Sequence, residues 1–180
     1  MPQVIHRQVS DLREMLSAST VSVILLVVDE AAYQHSGAQE ALEPLLSTVT
    51  VHHWSQFTPN PTLAELENGV AKYQACTPDV VIAIGGGTAL DLGKLISFYG
   101  KQTIPCRELI LSPATNTLDP TPLVAIATTS GTGSETTQFA VIYVDGEKHS
   151  VADPRIRPPQ IVLDPTLTAT MPAALTANTG

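Results

Sequence analysis

The stretch VVIAIGGGTALDLGK, Val80 to Lys94, decides the fold. Its opening residues, Val80 to Ile84, form an apolar, β-branched run too short for a helix, which reads as a strand buried on both faces. Gly85, Gly86, Gly87 and Thr88 follow at once, and Ala89 to Ser97 carries apolar residues at helical spacing. Strand, glycine turn and helix in that order make a phosphate-site architecture. Consecutive glycines let the main chain approach a diphosphate, and the following helix offers unpaired amides and a positive dipole end. The plain alternative is a tight strand-to-helix turn with no ligand. The pattern is not GxGxxG, and it narrowly misses the P-loop, because Lys94 is followed by Leu95 where a magnesium-binding hydroxyl would stand.

Outward from this unit, short Val- and Ile-rich runs alternate with helical segments, the signature of βαβ units and a parallel sheet. Val21 to Val28 reads as a strand ending at Asp29, Val49 to His52 as a short strand, and Leu123 to Ala127 and Ile161 to Leu163 as two more. Asp11 to Met15, Ala38 to Leu46 and Leu63 to Ala75 read as helical, the last with Thr62 as N-cap and Glu65 completing a capping box. Phe139 to Val144 and Lys148 to Val151 flank Asp145-Gly146-Glu147, a β-hairpin signal. The expectation is an α/β, Rossmann-like parallel sheet flanked by helices with an added β-hairpin, in one domain over residues 1–180.

A second polar loop, TTSGTGSE at Thr128 to Glu135, leaves the end of the strand Leu123 to Ala127. Its hydroxyls suit a ribose, a phosphate or a carboxamide. Two such loops at strand C-termini favour one ligand crevice, where open α/β sheets bind ligands. Asp29 stands where an acidic residue accepts hydrogen bonds from adenosine ribose hydroxyls and repels a 2′-phosphate; the alternative is a turn or cap residue. Asp91 and Lys94 share a helix face. Asp91 could bond loop amides while Lys94 neutralises a phosphate or sits by the reaction centre, or the two could form an ordinary surface ion pair.

Nine Lys plus Arg against 17 Asp plus Glu give a formal charge of −8, which disfavours nucleic acid as a partner. Charged residues make up 14% and hydrophobic ones 43%, so a folded core is expected. No apolar run approaches the length of a membrane helix and no signal peptide is apparent, so a cytoplasmic protein without membrane attachment is expected. Cys76 and Cys106 lie in no CxxC motif, the five histidines show no HxxxH or HExxH spacing, and no GxSxG elbow occurs, so zinc, dithiol and hydrolase chemistries lack support.

The order of these motifs resembles the N-terminal cofactor domain of the iron-containing (group III) alcohol dehydrogenase family over almost the whole chain. The matching pieces are Val28-Asp29, Pro59-Asn60-Pro61-Thr62, GGGTALDLGK at Gly85 to Lys94, TTSGTGSE, Lys148 ahead of Pro158, and IVLDPTLT at Ile161 to Thr168. Thr88 replaces the family's usual Ser and Gly93 its usual Ala, substitutions that keep a hydroxyl and a small residue. The resemblance implies that Gly86, Gly87 and Thr88 hold the pyrophosphate and that Asp29 and Asn60 lie by the adenosine half, with Asp91 also among the cofactor-binding residues. It implies Thr128, Thr129 and Thr132 around the nicotinamide half, with Lys148 near the nicotinamide ribose. The implied cofactor is NAD, favoured by Asp29, with NADP possible.

The implied reaction is hydride transfer between NAD(P)(H) and a small-molecule alcohol or aldehyde. A divalent metal, commonly Fe2+, would be held by one Asp and three His of a helical domain expected after Thr179-Gly180, leaving no catalytic residue in this chain. A homo-oligomer is compatible with the resemblance. The stretch from Ser112 to Val151 is similar to the phosphonoacetaldehyde reductase branch, which makes 2-hydroxyethylphosphonate, and Lys148, His149 and Arg107 are candidate phosphonate contacts. The alternatives are a non-catalytic nucleotide-binding module and an enzyme of the glycerol dehydrogenase or dehydroquinate synthase branch.

Overall fold

A computed structural model describes residues 3–18, 20–112 and 117–179; part of the stretch likened to the phosphonoacetaldehyde reductase branch, 113–116, and Gly180 of the Thr179-Gly180 pair lie outside the described residues. The strands β1 (Val4–His6), β2 (Val23–Val28), β3 (Thr50–Trp54), β4 (Val80–Gly85), β5 (Leu123–Ala127) and β8 (Gln160–Val162) form one sheet in the order β1-β8-β5-β4-β2-β3. Every pairing in it is parallel. The remaining strands, β6 (Phe139–Val144) and β7 (Glu147–Ala152), pair antiparallel as the separate hairpin that the Asp-Gly turn signals. Asp145 and Gly146 both adopt positive φ at its turn, as a two-residue hairpin connection requires.

Successive side chains of a strand point to opposite faces, so each central strand feeds two cores. Leu25, Val27, Val81 and Ala83 join one core with α4 (Leu63–Cys76) and α5 (Gly87–Tyr99). Ile24, Leu26, Val28, Ile82 and Ile84 join the other with Tyr33 of α2 (Glu30–His35) and Leu42 of α3 (Ala38–Leu42). Burial on both faces explains why β2 and β4 read as continuous apolar runs.

The strand order fixes where a ligand crevice opens. After β2 the chain moves outward to β3, then returns to place β4 on the other side of β2. The two connections leave the sheet in opposite directions between β2 and β4, and such a switch point opens a crevice at the strand C-termini. Asp29 follows β2 and Gly86 follows β4, so both stand at its lip.

Several elements differ from the sequence reading. The edge strand β1, α2, and α6 (Cys106–Leu111) were not legible as periodic runs, being short. The segment expected as one helix to Leu46 divides into α3 and a 3-10 turn at Glu43–Leu45, where Pro44 removes an amide. The amphipathic start folds as a 3-10 turn at Val9–Leu12 running into α1 (Arg13–Leu16), and α7 (Ala173–Thr179) closes the described chain. Thr62 caps α4 as expected, its hydroxyl accepting from the Glu65 amide while Glu65 accepts from the Thr62 amide.

Candidate functional site

The glycine turn is built from two contacts that no side chain would survive. Gly85 has φ of +146°, and a Cβ there would lie 2.8 Å from the Ala89 Cβ and 3.0 Å from the Asp29 Cβ. Its carbonyl accepts from the Thr128 amide at 3.1 Å, so the exits of β4 and β5 are tied together at this point. Gly86 then caps α5 without a side-chain hydrogen bond. The first intrahelical bond is from the Leu90 amide to the Gly86 carbonyl at 3.1 Å, so the amides of Gly87, Thr88 and Ala89 have no acceptor within the helix. A helix of this length with an open N-terminal turn is suited to an anion.

The hydroxyl-rich loop lies directly against that turn. A Cβ at Gly86 would meet the Thr129 methyl at 3.2 Å, and one at Gly87 would meet the Thr132 methyl at 3.3 Å. Thr128, Thr129 and Thr132 are thereby gathered at the α5 N-terminus. Thr128 is 3% exposed, yet its hydroxyl has no hydrogen-bond partner in the protein. A buried polar group without a partner is uncommon, and it marks a place for a ligand or an ordered water.

Thr128 itself lines a cavity of about 370 Å³ whose walls include Asp29, Ala32, Thr129, Met171 and Pro172. Asp29 caps α2 by accepting from the Ala32 amide through Oδ1 at 3.0 Å. Its two expected roles are therefore compatible: one carboxylate oxygen holds the helix, and the residue still lines the cavity. The orphan Thr128 hydroxyl, the uncapped α5 turn and the Asp29 carboxylate are groups at the strand ends that could hold a polar, anionic ligand.

Asp91 and Lys94 are not a surface ion pair. The Lys94 side chain is 0% exposed, and its ammonium donates to Ser134 Oγ at 2.7 Å, the Phe139 carbonyl at 2.8 Å, Thr137 Oγ1 at 3.1 Å and Asp91 Oδ1 at 3.3 Å. Burial lowers the lysine pKa, and the neighbouring Asp91 carboxylate opposes that shift. Asp91 accepts from Ser134 Oγ and, through Oδ2, from the Val141 amide at 2.9 Å. Both carboxylate oxygens thus hold the loop and the start of β6, and Lys94 faces the same interior. Both side chains are thus engaged by groups of the protein itself.

Asn60 and Lys148 stand elsewhere. Asn60, at φ of +63°, lines a separate cavity of about 440 Å³ with Tyr143 and Gly146 of the hairpin, and it does not share the Asp29 cavity. Lys148 is exposed and lies opposite Tyr143 in the hairpin register, on the flank that faces Asn60. The hairpin is fastened there by the Tyr143 amide, which donates to the Pro61 carbonyl at 2.8 Å. Arg107 pairs with Asp145 at the hairpin turn, and His149 stands opposite Ile142.

Sequence reasoning did not single out Ser134, Thr137, Met171 or Pro172. Their roles depend on contacts across 40 or more positions, as from Lys94 to Ser134, and no local pattern encodes these. Gly85 was legible as part of a turn, but not as the residue packed on Asp29. Among the described residues no group of three or more His, Cys, Asp or Glu side chains could hold a metal ion. The described residues therefore do not fit a metal centre. No described helix is long and apolar enough to cross a membrane.

Comparison with known proteins places this geometry in context. A family model described as iron-containing alcohol dehydrogenase matches residues 3–165. Over 129 residues the chain is 40% identical to a 1-propanol dehydrogenase of Citrobacter freundii, covering 71% of this chain and 31% of that protein. It is 33% identical over 160 residues to a 4-hydroxybutyrate dehydrogenase of Cupriavidus necator, covering 87% of this chain and 42% of the relative. The fold superposes on a sulfoacetaldehyde reductase of Bifidobacterium kashiwanohense, solved in complex with NAD+, with a TM-score of 0.89 and 23% identity over 99% of this chain and 48% of the other. The chain thus spans less than half the length of each.

Proposed function

As this chain belongs to the iron-containing alcohol dehydrogenase family, we propose that residues 1–180 are the dinucleotide-binding domain of an NAD-dependent oxidoreductase acting on a small alcohol or aldehyde. The observation that carries the reading is the buried, unpartnered Thr128 hydroxyl set beside the uncapped N-terminus of α5. When bound, the nicotinamide supplies or accepts a hydride at the alcohol or aldehyde carbon. The amides of Gly87 and Thr88, in the turn opened by Gly86, hold the diphosphate. Asp29 receives the adenosine ribose hydroxyls and, by its charge, disfavours a 2′-phosphate. Thr128, Thr129 and Thr132 orient the nicotinamide half, and Asp91 serves them by holding their loop. Asn60 is assigned to the adenosine half and Lys148 to the nicotinamide ribose, both reaching the cofactor from the hairpin flank.

The reading extends to the substrate. The stretch from Ser112 to Val151 is similar to phosphonoacetaldehyde reductases, so phosphonoacetaldehyde heads the aldehydes to be offered to the protein. The relatives matched are alcohol dehydrogenases of several substrate classes, which makes a panel necessary. With no group of three or more His, Cys, Asp or Glu side chains among the described residues able to hold a metal ion, the 180-residue chain by itself is expected to bind cofactor without turnover.

Titration of the 180-residue chain with NADH, followed by nicotinamide fluorescence, tests the reading. Saturable binding with an enhanced emission supports it. No binding by folded protein at millimolar NADH overturns it.

A further inference from the structure

Resting on that dinucleotide reading, we infer that Lys94, Asp91 and Ser134 form an interior latch that positions the hydroxyl loop for the nicotinamide half of the cofactor. Three observations carry this. First, the latch is closed on itself: Lys94 donates to Ser134 Oγ, Ser134 donates to Asp91 Oδ1, and Lys94 also donates to Asp91 Oδ1. Second, it bridges exactly the two segments that meet at the site. Asp91 and Lys94 lie in α5, whose N-terminal turn holds the uncapped amides, and Ser134 lies at the end of the loop that carries Thr128, Thr129 and Thr132. Third, the contacts continue past the loop to Thr137, the Phe139 carbonyl and the Val141 amide, so the loop is held at its exit as firmly as the Gly85 carbonyl holds its entry.

A buried ammonium is a costly way to fasten a loop if only stability is at stake, since apolar packing serves as well or better. Directional bonds, by contrast, fix the distance between loop and helix. Here that distance leaves the Thr129 and Thr132 methyls 3.2 Å and 3.3 Å from where a Cβ would stand at Gly86 and Gly87. The three residues are positioning residues: none touches the ligand, and their effect reaches it through the threonines.

The test compares two ligands on the 180-residue chain. ADP carries the adenosine and diphosphate and engages Asp29 and the α5 turn, whereas NADH also needs the threonine loop. Dissociation constants for both are measured for the wild type, Ser134→Ala, Ser134→Thr and Lys94→Met, with thermal melting to report on folding. The latch predicts that Ser134→Ala weakens NADH at least tenfold and ADP by less than threefold, and that Ser134→Thr restores NADH binding. Lys94→Met should weaken NADH selectively, as Ser134→Ala does, where it folds, and Ser134→Ala keeps the question decidable where it does not. Equal loss of both ligands, or melting changes with unchanged NADH affinity, overturns the latch while leaving the dinucleotide reading intact. Absence of NADH binding by the wild type overturns both.

Discussion

Gly93 of α5 lies so close to Ala83 of β4 that a Cβ at position 93 would stand 2.4 Å from the Ala83 Cβ. Alanine, which the family pattern commonly carries there, does not fit this pairing of helix and strand without movement. The interval matters for the site, because the N-terminal turn of α5 inherits its height above the sheet from this contact. Gly93→Ala is expected to destabilise by about 1–3 kcal/mol through overpacking, a drop of about 2–4 °C in Tm for each kcal/mol. Thermal denaturation checks it. Gly93→Ala combined with Ala83→Gly should recover most of the loss, and failure to recover it would show that the contact is not the cause.

Thr128→Val separates a binding group from a structural one. The hydroxyl has no partner in the protein, so removing it should leave stability unchanged or raise it by up to about 1 kcal/mol. NADH affinity should fall about tenfold, equivalent to about 1.4 kcal/mol. A stability loss without an affinity loss would mean the hydroxyl bonds to an internal water instead.

Asp29 both caps α2 and lines the cavity, so the substitution that tests its ribose role must preserve the cap. Asp29→Ser keeps a side-chain oxygen for the Ala32 amide and removes the charge. The ratio of NADPH to NADH affinity should rise at least tenfold with little change in Tm. Asp29→Gly should shift the same ratio and also lower Tm. An unchanged ratio in both variants would count against the ribose assignment.

Gly87→Val places a branched side chain where the diphosphate approaches and against the Thr132 methyl, 3.3 Å from the first added carbon. Loss of measurable NADH and ADP binding is expected while the far-ultraviolet circular dichroism stays that of the wild type. Retained affinity would refute the phosphate assignment.

The acid stability of the chain should depend on Glu65. Burial raises its carboxyl pKa, but hydrogen bonds from the amides and hydroxyls of Thr62 and Thr58 outweigh this and leave it below the usual value. A carboxylate whose pKa is lower in the folded state contributes stability above its unfolded pKa. That stability is lost as pH falls through the folded value. Glu65→Ala should therefore cost about 1 kcal/mol at pH 7, as loss of a cap does, and the cost should shrink below about pH 4. Urea denaturation at pH 7 and pH 3.5 compares the two proteins, and an equal difference at both pH values would exclude the carboxylate as the source.

The sequence alone determined what depends on local order. Uninterrupted apolar runs at Val23–Val28 and Val80–Ile84 are required of strands buried on both faces, and the glycine turn followed by a helical period could only be one βα unit. Thr62 with Glu65 and Asp145 with Gly146 specified a cap and a hairpin by residue chemistry within four positions. Only the tertiary structure decided the partnerships that cross the sheet. It buried Lys94, a residue legible as a phosphate contact or a surface ion pair, because the loop at Ser134 folds over it and supplies acceptors in place of water. It set Thr128 beside Gly85, put Asn60 with the hairpin and not with Asp29, and made Gly93 a packing requirement. A side chain's local spacing fixes which face of its element it occupies, but what meets that face is set by strand order and loop closure, which act between residues far apart in the chain.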